Sequence, residues 1–177
     1  IQEGGSVRLV SKKLDLDIPQ ILVNDTLEAM KMIAYEYRDT LDIFIIGITG
    51  SNGKTSSKDM LNAILSLEGK TWATQSNQNT EIGTYLNLFN LDDTYKYGVF
   101  EFGLDMPNEV YEMAKLMKAD AALLTSLAPA HMANFEDINH IADEKVRIFD
   151  VLENKQYGFY QGDFKEYKER LGKEYKS

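Results

Sequence analysis

Apolar residues fall along this chain in two alternating patterns. Short runs rich in β-branched and aromatic residues occur at Ile21-Leu22-Val23, Ile43 to Ile48, Lys70 to Thr74, Tyr97 to Gly103, Ala121 to Thr125 and Tyr157 to Tyr160. Each is long enough for a strand and too short for a helix. Between them apolar positions recur at helical spacing. The stripes are Leu27, Met30, Ile33, Ala34 and Tyr37; Met60, Leu61, Ile64, Leu65 and Leu67; Ile82, Tyr85, Leu86 and Phe89; and Val110, Met113, Ala114 and Met117. A further helix is predicted over 139 to 152, with Ile141, Val146, Ile148 and Phe149 among its apolar positions, and a charged one from Asp163 onward. Asn24-Asp25-Thr26 and Asn79-Thr80-Glu81 supply helix caps, Pro107-Asn108-Glu109 opens a helix, and the first helix is expected to end around Arg38 to Thr40. Strands alternating with helices predict an α/β fold with a mostly parallel sheet flanked by helices.

One junction departs from plain patterning. The strand Ile43 to Ile48 breaks into Thr49-Gly50-Ser51-Asn52-Gly53-Lys54-Thr55, and a helical stripe follows at once. Strand, glycine-rich turn, lysine, hydroxyl and helix make a phosphate cradle: glycines admit an anion close to backbone N–H groups, and the helix start presents more of them with the positive end of its dipole. Lys54 would neutralise terminal phosphate charge, and the Thr55 hydroxyl would reach a magnesium ion. The general P-loop pattern places its first glycine where this chain has Ile48, so Gly50 comes two positions late.

Glu101 puts a charge near the end of an otherwise apolar strand. A buried carboxylate needs a partner, and the carboxyl edge of a parallel sheet is where ligands bind, so Glu101 is a candidate metal ligand. A strand-end acid paired with a basic side chain is the plainer reading. His131 lies in the loop from Ser126 to Phe135. Lys145 lies in the middle of the 139 to 152 helix and shares a face with Ala142 and Phe149, so it is expected to look inward unless its stem snorkels to solvent; with Asp143, Glu144 and Arg147 nearby, a surface lysine is the plainer reading.

Composition narrows the classes. The 177 residues suffice for one ordinary domain and part of another, and 44% hydrophobic residues can build a core. No apolar run approaches the ~20 residues of a membrane span. Cysteine is absent, which removes disulfides, thiolate metal sites and a cysteine nucleophile, and fits a cytoplasmic location. A net charge of −9 disfavours nucleic acid and anionic membranes as partners. No signal peptide opens the chain, and its start at Ile1 is the pattern of an excised piece.

Thr49 to Thr55 matches throughout the shortened phosphate loop T-G-[ST]-N-G-K-T of the Mur ligases of peptidoglycan synthesis, and the chain resembles that family. Asn77-Gln78-Asn79-Thr80-Glu81-Ile82-Gly83 resembles the N-x-N-x-E-I-G stretch of the branch that adds D-alanyl-D-alanine, and Glu101-Phe102-Gly103 the family's E-x-G strand end. Ala130-His131 and Glu144 to Phe149 resemble its loop histidine and helical lysine. The likeness runs from about Pro19 to the carboxyl end, while Tyr160-Gln161-Gly162-Asp163 stands where many relatives show an N-x-D-D-like sequence.

The resemblance implies a P-loop ATPase-like central domain over 40–177, incomplete at its carboxyl end, preceded over 1–39 by the end of a uridine-nucleotide-binding domain, with the C-terminal domain absent. It implies an ATP-dependent ligase that joins D-alanyl-D-alanine to UDP-N-acetylmuramoyl-tripeptide through an acyl phosphate. By the same resemblance Thr49, Gly50, Ser51, Asn52, Gly53, Lys54 and Thr55 bind nucleotide; Thr55, Glu101 and His131 hold Mg2+; Lys54, His131 and Lys145 are catalytic; and Lys145 matches a lysine that relatives carbamylate. Asn79 and Glu81 are substrate-side candidates or, equally, helix caps. The other expectations are a folylpolyglutamate synthetase-like ligase and a nucleotide-binding module without ligase chemistry.

Overall fold

The structure is a computed structural model that describes residues 7–75, 78–129, 133–172 and 175. Seven strands and six α-helices alternate through the described chain. β1 (Arg8–Val10) and β2 (Gln20–Leu22) form a separate parallel pair, and α1 (Thr26–Asp39) follows. Asp25 caps α1 by accepting from the N–H groups of Leu27 and Glu28 at 2.7 and 3.0 Å. The main sheet is built from β3 (Phe44–Thr49), β4 (Thr71–Ala73), β5 (Tyr97–Glu101), β6 (Ala121–Leu124) and β7 (Gly158–Tyr160). Its order is β4-β5-β3-β6-β7 with every pairing parallel, as the alternation of elements requires.

Side chains alternate across this sheet with period two. Ile45, Phe100, Ala122 and Leu124 point into the larger core, against α1, α3 (Glu81–Leu88), α4 (Glu109–Met117), α5 (Ile138–Val146) and α6 (Lys165–Leu171). Ile46, Ile48, Val99 and Leu123 point the other way, where Leu61 and Leu65 of α2 (Lys54–Leu65) cover them. α1 is tied to the larger core by Ala34, which is fully buried, and by Arg38. The Arg38 guanidinium donates to the carbonyls of Met117, Leu41 and Ile43 at 2.7, 2.8 and 3.3 Å, closing the end of α1 onto the start of β3.

The helix faces differ from the expected stripes in a consistent way. On α4 all four expected residues are buried. On α2 the column Leu61 and Leu65 meets the sheet, while Met60 and Ile64, and Leu67 just beyond the helix, are exposed at 65%, 61% and 85%. Two adjacent apolar columns had looked like one stripe, and a single sheet contact selects one of them. Similarly α3 buries Tyr85 and Leu88 and leaves Ile82, Leu86 and Phe89 outside, and α1 leaves Leu27 and Ile33 outside. The helix expected over 139 to 152 ends at Val146 and tightens into a 3-10 turn, Arg147–Phe149.

Candidate nucleotide and metal site

The site is assembled where β3, β4, β5 and β6 end. Gly50 has φ +146°, and a Cβ there would fall 1.9 Å from Thr125 Oγ1, so no other residue fits this first bend of the loop. Gly53, at φ +81°, is the N-cap of α2 and supplies no side-chain cap, leaving the first-turn N–H groups without an intrahelical acceptor. Lys54 Nζ folds back over the loop to the Gly50 carbonyl at 2.9 Å. The loop is laced to the segment after β6: Ser51 N–H donates to Ser126 O at 2.8 Å, Asn52 N–H to Ser126 Oγ at 2.7 Å, and Thr125 Oγ1 to Asn52 O at 2.7 Å. Ser51 Oγ turns away to Ala128, 2.9 Å from its carbonyl.

Glu101 ends β5 at 4% exposure. Its Oε2 accepts from Thr55 Oγ1 at 2.9 Å, and its Oε1 accepts from Asn79 Nδ2 at 3.0 Å. Among the described residues Glu101 has no basic partner, so the ion-paired reading of this strand-end acid has no counterpart there. A buried carboxylate held by a hydroxyl and an amide, with no basic partner among the described residues, fits a site for a hard cation. No group of three or more His, Cys, Asp or Glu is present among the described residues, so protein atoms alone do not form a full cage. That donor set suits magnesium, which keeps water and phosphate oxygens and takes one or two protein ligands.

Lys145 is not a surface lysine. It lies on the inner face of α5 with Ala142, at 4% exposure, and Phe149 of the following 3-10 turn is buried too. Its Nζ makes no hydrogen bond or ion pair with a described residue. Burial, and secondarily the positive charge of Lys54, lower its pKa from 10.5 to about 7.

The neighbours Asn79 and Glu81 separate. Asn79 reaches Glu101, Thr80 caps α3 by accepting from Gly83 N–H at 3.2 Å, and Glu81 turns to Tyr85 Oη and Lys31. Lys31 of α1 lies 3.7 Å from Glu81 and 3.5 Å from Glu112, which makes Glu81 part of a helix junction. His131, with Asn77 and Ala130, lies outside the described residues. Sequence reasoning did not single out Thr74, Thr125 or Ser126. The usable signal was a threonine at or just after the end of three strands: Thr49, Thr74 and Thr125. Beside the loop a cavity of about 540 Å³ is lined by Asn52, Gly53, Leu124, Phe159 and Phe164. A larger one, about 620 Å³, lies at the opposite edge of the sheet near Phe44, away from these groups.

Residues 48–177 match the Mur ligase middle domain. The chain is 38% identical over 149 residues to UDP-N-acetylmuramoyl-tripeptide--D-alanyl-D-alanine ligase of Escherichia coli, covering 84% of this chain and 33% of that protein. The structure superposes on crystal structure I of MurF from Acinetobacter baumannii with TM-score 0.83 and 27% identity, covering 91% of this chain and 36% of that one. It shares its fold with the MurF ligase of Thermotoga maritima in complex with ADP, at TM-score 0.87 and 22% identity, covering 99% of this chain and 41% of that one. The chain therefore spans about a third of the length of the curated relatives it matches.

Proposed function

The chain belongs to the Mur ligase family, and on that premise we propose that the intact protein is an ATP-dependent ligase that joins D-alanyl-D-alanine to UDP-N-acetylmuramoyl-tripeptide. The observation that carries the reading is the meeting of Thr55, Glu101 and Asn79 beside the Lys54 loop. In this reading Thr49 to Thr55 cradle the phosphates of ATP, with Lys54 swinging from the Gly50 carbonyl to the terminal phosphate. Thr55 and Glu101 hold Mg2+, and His131 is assigned to a second ion. Bound magnesium screens the repulsion between two anions and stabilises charge on the transferred phosphoryl group. The tripeptide carboxylate takes that group, and the D-alanyl-D-alanine amine attacks the resulting acyl carbon and releases phosphate.

Lys145 is assigned the carbamylation that the sequence resemblance implies. With a pKa near 7, a substantial fraction of its amine is neutral at physiological pH. The nitrogen lone pair bonds to the carbon of CO2, a proton leaves, and the carbamate anion then faces Lys54 as an opposite rather than a like charge. Asn79 lines the substrate side, and Glu81 supports it from the helix junction.

Residues 1–39 are assigned to the end of a uridine-nucleotide-binding domain and 40–177 to the central ATP-binding domain. Supporting this, among the described residues β1 and β2 form a two-stranded parallel pair, with Ile21 and Leu22 exposed at 54% and 65%, a unit that needs further strands or helices to be stable. α1 packs with the central part. A cytoplasmic location is part of the proposal; among the described residues no helix is long and apolar enough to cross a membrane. The test is phosphate release by the intact protein. Release that requires both UDP-N-acetylmuramoyl-tripeptide and D-alanyl-D-alanine is expected, and release indifferent to either would overturn the assignment.

A further inference from the structure

Thr74, Gln75 and Gln78, close to Asn79 in the chain, are held by two buried polar side chains that do not touch the Thr49 to Thr55 loop. Lys58 lies one helical turn beyond Lys54 on α2 and continues the inner column of Leu61 and Leu65. It is 6% exposed, while its neighbour Met60 is outside. A lysine head withdrawn from water needs a strong acceptor. Lys58 Nζ finds one in the Thr74 carbonyl at 2.9 Å and lies 3.3 Å from Asp59 Oδ1. Thr74 follows β4, and its Oγ1 accepts the backbone N–H of Glu101 at 2.9 Å, while its own N–H donates to Val99 O at 3.0 Å. One residue thus receives the Lys58 ammonium on its carbonyl and supports Glu101 on its hydroxyl.

Asn87 of α3 holds Gln75 and Gln78. It is fully buried. Its Oδ1 accepts from Trp72 Nε1 and Gln75 N–H, both at 3.1 Å, and its Nδ2 donates to Gln78 Oε1 at 2.9 Å and Gly83 O at 2.8 Å. That uses the full capacity of the amide. Gly83 lets α3 approach, since a Cβ there would come within 2.7 Å of the Gln78 backbone. Gly103 N–H donates to Asn79 O at 2.7 Å.

We propose that Lys58 and Asn87 are positioning residues for the metal-binding carboxylate. Lys58 fixes Thr74, and Asn87 fixes Gln75 and Gln78, so that Asn79 occupies Glu101 Oε1 and Oε2 is presented on the Thr55 side. A carboxylate with one oxygen bound by an amide has lost most of its rotational freedom, which favours monodentate cation binding. The inference rests on the reading of Glu101 as a magnesium ligand.

The experiment titrates Mg2+ against ATP binding and phosphate release in the intact protein, comparing wild type, Lys58→Met, Thr74→Val and Glu101→Gln. Lys58→Met and Thr74→Val are expected to raise the Mg2+ concentration for half-saturation by about tenfold, the usual scale for removing a group that orients a metal ligand. Turnover should recover as Mg2+ is raised, and nucleotide affinity without Mg2+ should stay at the wild-type level. A purely structural role would instead lower turnover in step with the folded fraction and leave the Mg2+ midpoint unmoved, and that result overturns the inference. Should Lys58→Met not fold, Thr74→Val decides by the same criterion. An unmoved midpoint in Glu101→Gln would instead remove the metal assignment itself.

Discussion

Replacing Lys145 with methionine should change how stability depends on pH. The wild-type amine is buried at 4% exposure, and burial followed by the Lys54 charge sets its folded pKa at about 7 against 10.5 for the free group. Between those values the unfolded chain binds more protons than the folded one, so the free energy of unfolding rises with pH. From about 1.4 kcal/mol per unit, the gain between pH 7 and pH 9.5 comes to about 3 kcal/mol. Below about pH 6 both states carry the proton and the slope vanishes. Tyr85 and Tyr167, whose pKa values burial pushes up, affect both proteins alike and cancel in the difference. The assay is urea unfolding of wild type and Lys145→Met from pH 6 to 9.5 in buffers purged of carbon dioxide, so that the amine stays unmodified. Methionine should be the more stable variant at pH 7, because a buried charge with no partner among the described residues is gone, and its advantage should shrink by about 3 kcal/mol at pH 9.5. Parallel curves would show that Lys145 reaches water or a counter-charge, and the burial argument would fail.

Other expectations follow from single contacts. Gly50→Ala places a Cβ 1.9 Å from Thr125 Oγ1 at φ +146°; nucleotide binding should be lost and stability should fall by about 1–3 kcal/mol, and an unchanged unfolding midpoint would refute this. Asp25→Ala removes the two N-cap bonds of α1 and should cost about 1 kcal/mol in denaturant unfolding, with no loss if the cap does not form in solution. Residues 1–177 alone should form no amide bond, because positioning of the amine and acyl phosphate supplies much of the barrier reduction; detectable D-alanyl-D-alanine addition by this chain would contradict the need for further domains.

The alternation of elements was legible because strand and helix impose different periods on the same apolar residues. The glycine-rich loop from Thr49 to Thr55 was legible as a candidate because its glycines, lysine and threonine are contiguous. Glu101 stood out as one charge at the end of an apolar strand. What escaped depends on contacts between distant segments. Which apolar column of α2 faces the sheet is decided by β3, β4 and β5, and Lys58 is buried because β4 ends with a carbonyl beside it. The stripe read along α2 began at Met60 and left Lys58 out, whereas the face shared by Ala142, Lys145 and Phe149 did point Lys145 inward. Asn79 and Glu81 are close in sequence, yet Thr80 begins a helix between them and sends their side chains to different partners. The lacing of Ser51 and Asn52 to Thr125 and Ser126 joins segments more than seventy residues apart.

The central claim is that the loop from Thr49 to Thr55 binds a magnesium nucleotide, and calorimetric titration of ATP in the presence of Mg2+ into wild type and Lys54→Ala tests it most directly. Lys54 is only partly buried and bonds the Gly50 carbonyl at 2.9 Å, so its removal should leave the fold intact. A charge-assisted hydrogen bond of about 1.5–3 kcal/mol corresponds to a loss of roughly tenfold or more in affinity. Such a loss in a folded variant, with wild-type binding that depends on Mg2+, is the predicted result; equal affinities in the two folded proteins would contradict the claim.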